Sequence, residues 1–464
     1  MRIAEPNSRD GPAKPESPLW APQRRHFTGG MVLIVTLAAF ETMALSTALP
    51  TIVRELRAES WYSWPFTVFM VSSAISTVLS GRASDRRGPA APLLLAMPVF
   101  ALGLLLAGFA PSMPVLLVAR VLQGLGAGGQ IVPLYVMVSR VYPEQHRPAA
   151  FGTLSAAWVL PALLGPAVTG ALTQYLSWRW AFLGLAPLVA LGAVLVAPTI
   201  RRVGAASGAG EPTRRASPLA ASGAALGVAG MESAGRSSAP STLLLGLGAF
   251  ALFVVSLRML LPAGTLLGRR GIPVMVLARG LLPGAFFGAQ AFIPLMLSVV
   301  HHWPPAVAGV PLTVGSLGWA LGAYGQSTQR RYRWETLVAA GFGLVACGLA
   351  GLVASSAGAA WSVVVIWFVA GTGMGLGMNS TAVRVLALSR SEEQGFHSSA
   401  LQVAGLLGQA VAVGLGGVLV NALATAESPT AGVVPLDLAL MSLAVLMAFV
   451  VFRSGRGAEP ETSA

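Results

Sequence analysis

A single cysteine, Cys347, stands in a chain of 464 residues. No intramolecular disulfide can form, and thiol redox chemistry has no second sulfur to use. Lysine is equally scarce: of 30 basic residues, all but Lys14 are arginine. Charge of either sign is thin, at 10% of residues against 55% hydrophobic. A soluble fold could not hide that much apolar surface. No nucleophile sits with a base, so nothing points to an enzyme. No His, Cys and acid cluster has metal-ligand spacing, and no glycine-rich phosphate loop carries a lysine, which argues against ATP-driven work. Alternating segments of about ten residues, the mark of a membrane β-barrel, are also missing.

What the chain does have is a succession of apolar runs of about 18 to 25 residues, each long enough to cross a hydrocarbon core of roughly 30 Å. The fold class is therefore an all-α polytopic membrane protein. Spans fall at 29–53, 62–80, 91–110, 114–138, 149–173 and 180–199. A weak candidate at 216–232 and a clear one at 241–261 follow, then six more at 272–300, 306–326, 335–356, 360–384, 397–422 and 435–453. Fourteen transmembrane helices put both termini on one side. Residues 1–28, polar and proline-rich, are predicted to be a disordered cytoplasmic tail rather than a signal peptide. The organisation predicted is a six-helix bundle at 29–200, a linker with two extra helices at 201–265, a second six-helix bundle at 266–454, and a tail at 455–464.

The net charge of +13 does not read as nucleic-acid binding, because the basic residues sit in short clusters between apolar runs. One side receives the five of the N-terminal tail, then Arg82, Arg86, Arg87, Arg140, Arg147, Arg201, Arg202, Arg214 and Arg215. The second half adds Arg269, Arg270, Arg330, Arg331, Arg333, Arg384, Arg390, Arg453 and Arg456 to the same side. The other side receives Arg54, Arg57, Arg179 and Arg236. The positive-inside rule makes the first side cytoplasmic. The weak span is constrained by the same rule: it and 241–261 cross together or not at all. GRASDRRGP (81–89) and GQSTQRRYR (325–333) follow the second span of each six-helix block, with arginine pairs at identical spacing, which suggests a degenerate internal repeat.

Several stretches, in order, resemble the major facilitator superfamily. GRASDRRG resembles its loop signature, Gly-x-Leu-Ala-Asp-Arg-x-Gly-Arg, at Gly81, Asp85, Arg86 and Gly88, where the resemblance implies a conformational latch. Pro89 departs from the family's basic residue. RVLQGLGAGG (120–129) resembles the fourth-helix motif. LPALLGPAVTG (160–170) resembles the antiporter motif of the fifth helix at Gly165, Pro166 and Gly170, with Pro161 where the first glycine is usual. FETMALSTALP (40–50) resembles the first helix of fourteen-spanner drug:proton antiporters of the EmrB/QacA type, with Glu41 for the usual Asp. SWRWAF (177–182), FFGAQAFIPL (286–295) and HSSALQVAGLLGQAVAVGLGG (397–417) sit where that family has them. The resemblance spans 29–453 and implies the major facilitator fold, two six-helix bundles plus two inserted helices. It further implies export by antiport, driven by the proton gradient with no cofactor.

Glu41 is the acid that the sequence places deep in a span, with Glu232 and Asp437 near span ends. Desolvation suits Glu41 to bind and release a proton, or else it is an Arg-paired group that fixes helix packing. Arg120 is expected to tune Glu41 or hold an anionic group, or to cap carbonyls at a bend. Gln123, Gln290, Asn379 and Gln402 are candidate cavity residues or helix-helix hydrogen-bond partners. Trp64, Trp158 and Trp319 are cavity walls or interface anchors. His301 and His302 are expected to be solvated. The expected partners are a small amphiphilic substrate, protons and the lipid bilayer, with no nucleic acid and the chain a monomer. The expected setting is the plasma (inner) membrane of a bacterium. A facilitator or symporter for a metabolite or lipid, or a non-transporting accessory protein of the same fold, stay open from the residues alone.

Overall fold

A computed structural model describes residues 19–203 except 23, then 217–235, 240–328, and 331–456 except 357, 391–392 and 426–427. The predicted tails (1–18 and 457–464) lie outside the described residues, as do Lys14, Arg214, Arg215, Arg236 and Arg330.

Among the described residues, 13 helical spans are long and apolar enough to cross a membrane. The first block comprises α1 (Arg25–Glu55), α2 (Trp64–Arg87), α3 (Ala90–Gly108), α4 (Met113–Val141), the broken pair α5 (Arg147–Ala156) and α6 (Val159–Tyr175), the short α7 (Trp180–Leu183) and α8 (Leu185–Val203). Then come α9 (Pro218–Ala234) and α10 (Pro240–Leu260). The second block holds α11 (Ile272–Gln290), α12 (Ile293–Val299), the single turn α13 (Pro305–Ala308), α14 (Val310–Thr328), α15 (Trp334–Ser355), α16 (Ser362–Leu388), α17 (Gln394–Leu423) and α18 (Thr430–Arg456). The sequence "weak span" is α9, which is helical, 17 residues long and packed against α10. The helix α1 starts inside the segment assigned to the tail. Phe27 and Thr28 are fully buried, and Thr28 Oγ1 bonds Leu19 O (2.6 Å) and the Tyr142 hydroxyl (2.7 Å).

Small residues decide which helices pair, since lipid offers apolar side chains no reason to leave it. A Cβ on Gly128 of α4 would lie 2.2 Å from the Ser73 carbonyl oxygen of α2. In the second block a Cβ on Gly375 of α16 would lie 2.1 Å from the Trp319 carbonyl oxygen of α14. The second and fourth spans of each block thus meet through glycine in the same way, a structural counterpart of the internal repeat.

Two of the interrupted spans break beside a proline. Pro161 has no N–H to give the carbonyl four residues back, so the Ala157 carbonyl at the α5–α6 break is free to accept from Thr36 Oγ1 of α1 (3.1 Å). At the α11–α12 break, before Pro294, the Ala291 carbonyl accepts from the Tyr62 hydroxyl of the other block (2.9 Å). Further contacts between the blocks lie toward the end opposite the arginine clusters. The Tyr62 ring meets Phe292 at 5.4 Å, Asn421 Nδ2 bonds Ser60 O at 2.9 Å, and Gly170 abuts Pro305 and Ala306.

Candidate functional site

Glu41 lies sixteen residues into α1, about 24 Å from its start at 1.5 Å per residue and near the middle of the helix. Its side chain is fully buried, and Arg120 on α4 is 1% exposed. Arg120 Nη1 donates to Glu41 Oε1 and to Gln123 Oε1 (2.6 Å), and Nε donates to the Pro65 carbonyl at the start of α2 (3.0 Å). The guanidinium stacks 4.3 Å from the centroid of Phe69, and Gln123 Nε2 donates onward to the Gly103 carbonyl of α3 (3.3 Å). One ion pair therefore ties four helices. Alone in a bilayer, either charge would cost on the order of 3 kcal/mol at mid-span; together they cancel. The cancellation is one-sided, because Glu41 Oε2 is buried with no hydrogen-bond partner among the described residues.

Two other carboxylates differ from the sequence expectation, which made Glu41 the one deep acid. Glu232 on α9 and Asp437 on α18 are 3% and 4% exposed. Glu232 Oε1 accepts from Ser63 Oγ, and its carboxyl sits against Gly414 and Gly417 of α17, where α2, α9 and α17 converge. Asp437 lines a small cavity with His301, Ser355 and Ser356, and its Oδ1 has no hydrogen-bond partner among the described residues. His301, expected to be solvated, is half-buried there, whereas His302 is exposed. Distance from a span end misled because neighbouring helices, not depth along one helix, bury these groups. The signal available in the sequence was the glycine spacing of α17 at 414 and 417.

The remaining candidates separate into packed and open. Gln123 spends its amide on Arg120 and Gly103, and Gln290 accepts from Trp367 Nε1 (3.1 Å) at 5% exposure, so both serve helix packing here. Trp64 begins α2 beside Trp61 (5.7 Å). Trp158 sits exposed at the α5–α6 break, and Trp319 is half-buried against Phe286 and Phe287. Asn379 and Gln402 are half-buried. Gln402 has a partner that the sequence pattern does not reveal: Arg279 on α11, whose Nη2 lies 3.4 Å from Gln402 Oε1 while Nη1 donates to the Met378 carbonyl (2.7 Å).

The two glycine motifs do different things. Gly88 ends α2 with φ of 80°, a left-handed conformation that favours glycine, and Gly81 faces Val132 of α4. Asp85 and Arg86 are exposed at that end. In α6, Gly165 packs on Met43 of α1, while Pro166 meets Gly309 and Gly170 meets Ala306 of the second block. One face of the α6 motif supports the helix that carries Glu41, and the other closes the contact between blocks.

Two bundles of membrane-length helices around a central seam, with a buried ion pair in the first bundle and broken helices at the seam, define a multi-pass solute transporter. The description "Major Facilitator Superfamily" matches residues 31–413, and the chain belongs to that family. It is 28% identical over 428 residues to a protein of Mycobacterium tuberculosis strain H37Rv named as a probable multidrug-efflux transporter, covering 85% of this chain and 86% of that one. Over 165 residues, 36% of this chain and 30% of the other, it is 35% identical to the transporter of the acurin A biosynthesis cluster of Aspergillus aculeatus. Among solved structures, a bacterial homologue of the human lysosomal transporter Spinster, inward-facing and unoccupied, aligns with a TM-score of 0.65 at 15% identity. That alignment covers 94% of this chain and 98% of that chain. A peptide transporter of the POT type bound to alafosfalin aligns with a TM-score of 0.67 at 15% identity, over 93% of this chain and 95% of the other. Relatives and fold neighbours are transporters and not enzymes.

Proposed function

We propose that the chain is a proton-coupled secondary active exporter of amphiphilic small molecules, of the multidrug or antibiotic efflux type. It is a fourteen-span antiporter of the EmrB/QacA type, with α9 and α10 as two helices inserted between six-helix halves. It lies in the plasma membrane of a bacterium as a monomer, with both termini and the arginine clusters cytoplasmic. The contacts between halves gather at the end that this reading makes external, which supports a state closed on that side.

The observation that carries the coupling is the half-satisfied carboxylate. Glu41 is held by Arg120 through one oxygen and leaves Oε2 buried and unpartnered among the described residues. A proton arriving there neutralises Glu41 and frees Arg120 from its counter-ion, which changes how α1 sits on α4. Since α6 packs on α1 through Gly165 and touches the second half through Gly170, that change is transmitted to the external contact. Proton entry would thus favour one side of alternating access, and substrate the other. The role of the Asp85–Arg86 loop is that of a latch engaged in the opposite state.

A metabolite or lipid facilitator of the same fold would need no titrating carboxylate, and neither would an accessory protein. The discriminating experiment is a resistance and efflux screen across compound classes in an efflux-deficient bacterial host, with Glu41→Gln as control. Export of at least one amphiphile by the native chain, lost in Glu41→Gln at equal membrane abundance, supports the proposal. Undiminished energy-dependent export by Glu41→Gln rejects the coupling role.

A further inference from the structure

The proposed function leaves the cargo as an amphiphile of unstated charge, and the second half of the protein carries a feature that the ion pair does not use. Arg279 stands seven residues into α11, well inside the span. Its guanidinium is oriented rather than loose: Nη1 donates to the Met378 carbonyl of α16 at 2.7 Å and Nη2 approaches Gln402 Oε1 of α17 at 3.4 Å. A guanidinium offers five N–H donors, so this fixing leaves donors to spare.

Arg279 differs from the arginines that the structure pairs with carboxylates. Arg120 is paired with Glu41, Arg179 with Glu55, and Arg333 and Arg384 with Glu335. No carboxylate among the described residues lies within 4.0 Å of Arg279. The remaining buried acids are engaged elsewhere, Glu232 with Ser63 and Asp437 in the cavity beside His301. Intramembrane arginines face a cavity or a partner, because hydrocarbon penalises an unanswered charge. Here the protein supplies the carbonyl and amide that aim the group, and withholds the anion.

In the first half, the Tyr135 ring of α4 meets Phe151 of α5 edge-on at 5.6 Å, and the two rings are 45% and 38% exposed. A cation on one half and an apolar wall on the other is the complement of a molecule with an acidic head and an apolar body.

We propose that Arg279 is the anion-recognition point of the cavity and that the cargo is an organic acid: an amphiphile bearing a carboxylate. Its head is seated on the Arg279 guanidinium and Gln402, and its body lies against Tyr135 and Phe151. This rests on the reading of the chain as an exporter and narrows it to acidic rather than cationic compounds. Exporting an anion against an entering proton carries more positive charge inward per cycle than the proton alone, so such transport draws on membrane potential as well as on the pH difference.

The probes are 1-pyrenebutyrate, its methyl amide and 1-pyrenebutylamine, which share a body and differ in head charge. Binding to the purified full chain in nanodiscs of zwitterionic lipid is read by energy transfer from tryptophan to pyrene. The native protein is expected to bind the acid about tenfold or more tighter than the amine or amide, as hydrogen bonds to charged groups imply. Arg279→Gln should bring the acid down to the amide without altering amide binding, and Arg279→Lys should recover part of the preference. Equal binding of the three probes by the native protein overturns the proposal without needing any variant. So does an equal weakening of all three in Arg279→Gln. The exporter reading fails differently: acid-selective binding with no export of the acid from loaded vesicles would reject transport and leave the anion site standing.

Discussion

Breaking the Glu41–Arg120 pair from either side should give unequal damage, and the inequality follows from the contacts. In Arg120→Gln, Glu41 keeps its charge inside a helix bundle and loses the cation that answers it. Stranding a buried charge costs about 3–5 kcal/mol. In Glu41→Gln, Arg120 keeps Gln123, the Pro65 carbonyl and the Phe69 face, each still in place. The loss is then about one charge-assisted hydrogen bond, roughly 1.5–3 kcal/mol. The double variant Glu41→Gln/Arg120→Gln removes both charges and should be more stable than Arg120→Gln alone, with a coupling of roughly 0.5–3 kcal/mol. Stability in detergent is followed by intrinsic tryptophan fluorescence on heating, with monodispersity checked beforehand. Additive losses, with the double variant the least stable of the three, would refute the pair as the element joining α1 to α4.

Gly128→Leu and Gly375→Leu should each abolish folded yield, since even a Cβ would stand 2.2 Å and 2.1 Å from a facing carbonyl oxygen; size-exclusion profiles after mild solubilisation check this. Gly170→Val pushes against Ala306, 2.5 Å from a built Cβ, and should open the external contact between halves. Labelling of a cysteine placed at Asn421, in a Cys347→Ser background, should then speed up. Glu232→Ala removes the acceptor of Ser63 and should loosen α9 from α2 and α17 by about 1–3 kcal/mol, read as a lowered melting temperature. Thr28→Val loses its bonds to Leu19 and Tyr142 and should cost about 1 kcal/mol by the same measurement.

The membrane spans were legible because apolar run length is a one-dimensional property: α4 and α17 appear where their runs appear. Some motif glycines are legible for a related reason: at Gly124, Gly128 and Gly170 a Cβ would stand 2.0, 2.2 and 2.5 Å from a facing atom. Partnership was less so. The sequence ties Arg120 to Glu41 only as one option, and it names Gln402 as a candidate without pointing to Arg279 as its contact. Those pairings depend on helix rotation and on which helices become neighbours, which a span list does not carry. Glu232 and Asp437 show the same limit, being near helix ends in sequence and enclosed by other helices in space. The Pro161 substitution in the antiporter motif looked like a departure from pattern. In the structure it frees the Ala157 carbonyl that α1 uses through Thr36.

The central claim is that Glu41 exchanges a proton during transport. The direct measurement uses the purified chain in sealed liposomes holding a pH-sensitive dye, with an exported amphiphile from the resistance screen added under a fixed pH gradient. The native protein should produce a substrate-dependent change of lumenal pH, and Glu41→Gln should bind the same compound yet move no protons. Proton flux of native size from a well-folded Glu41→Gln protein would contradict the account.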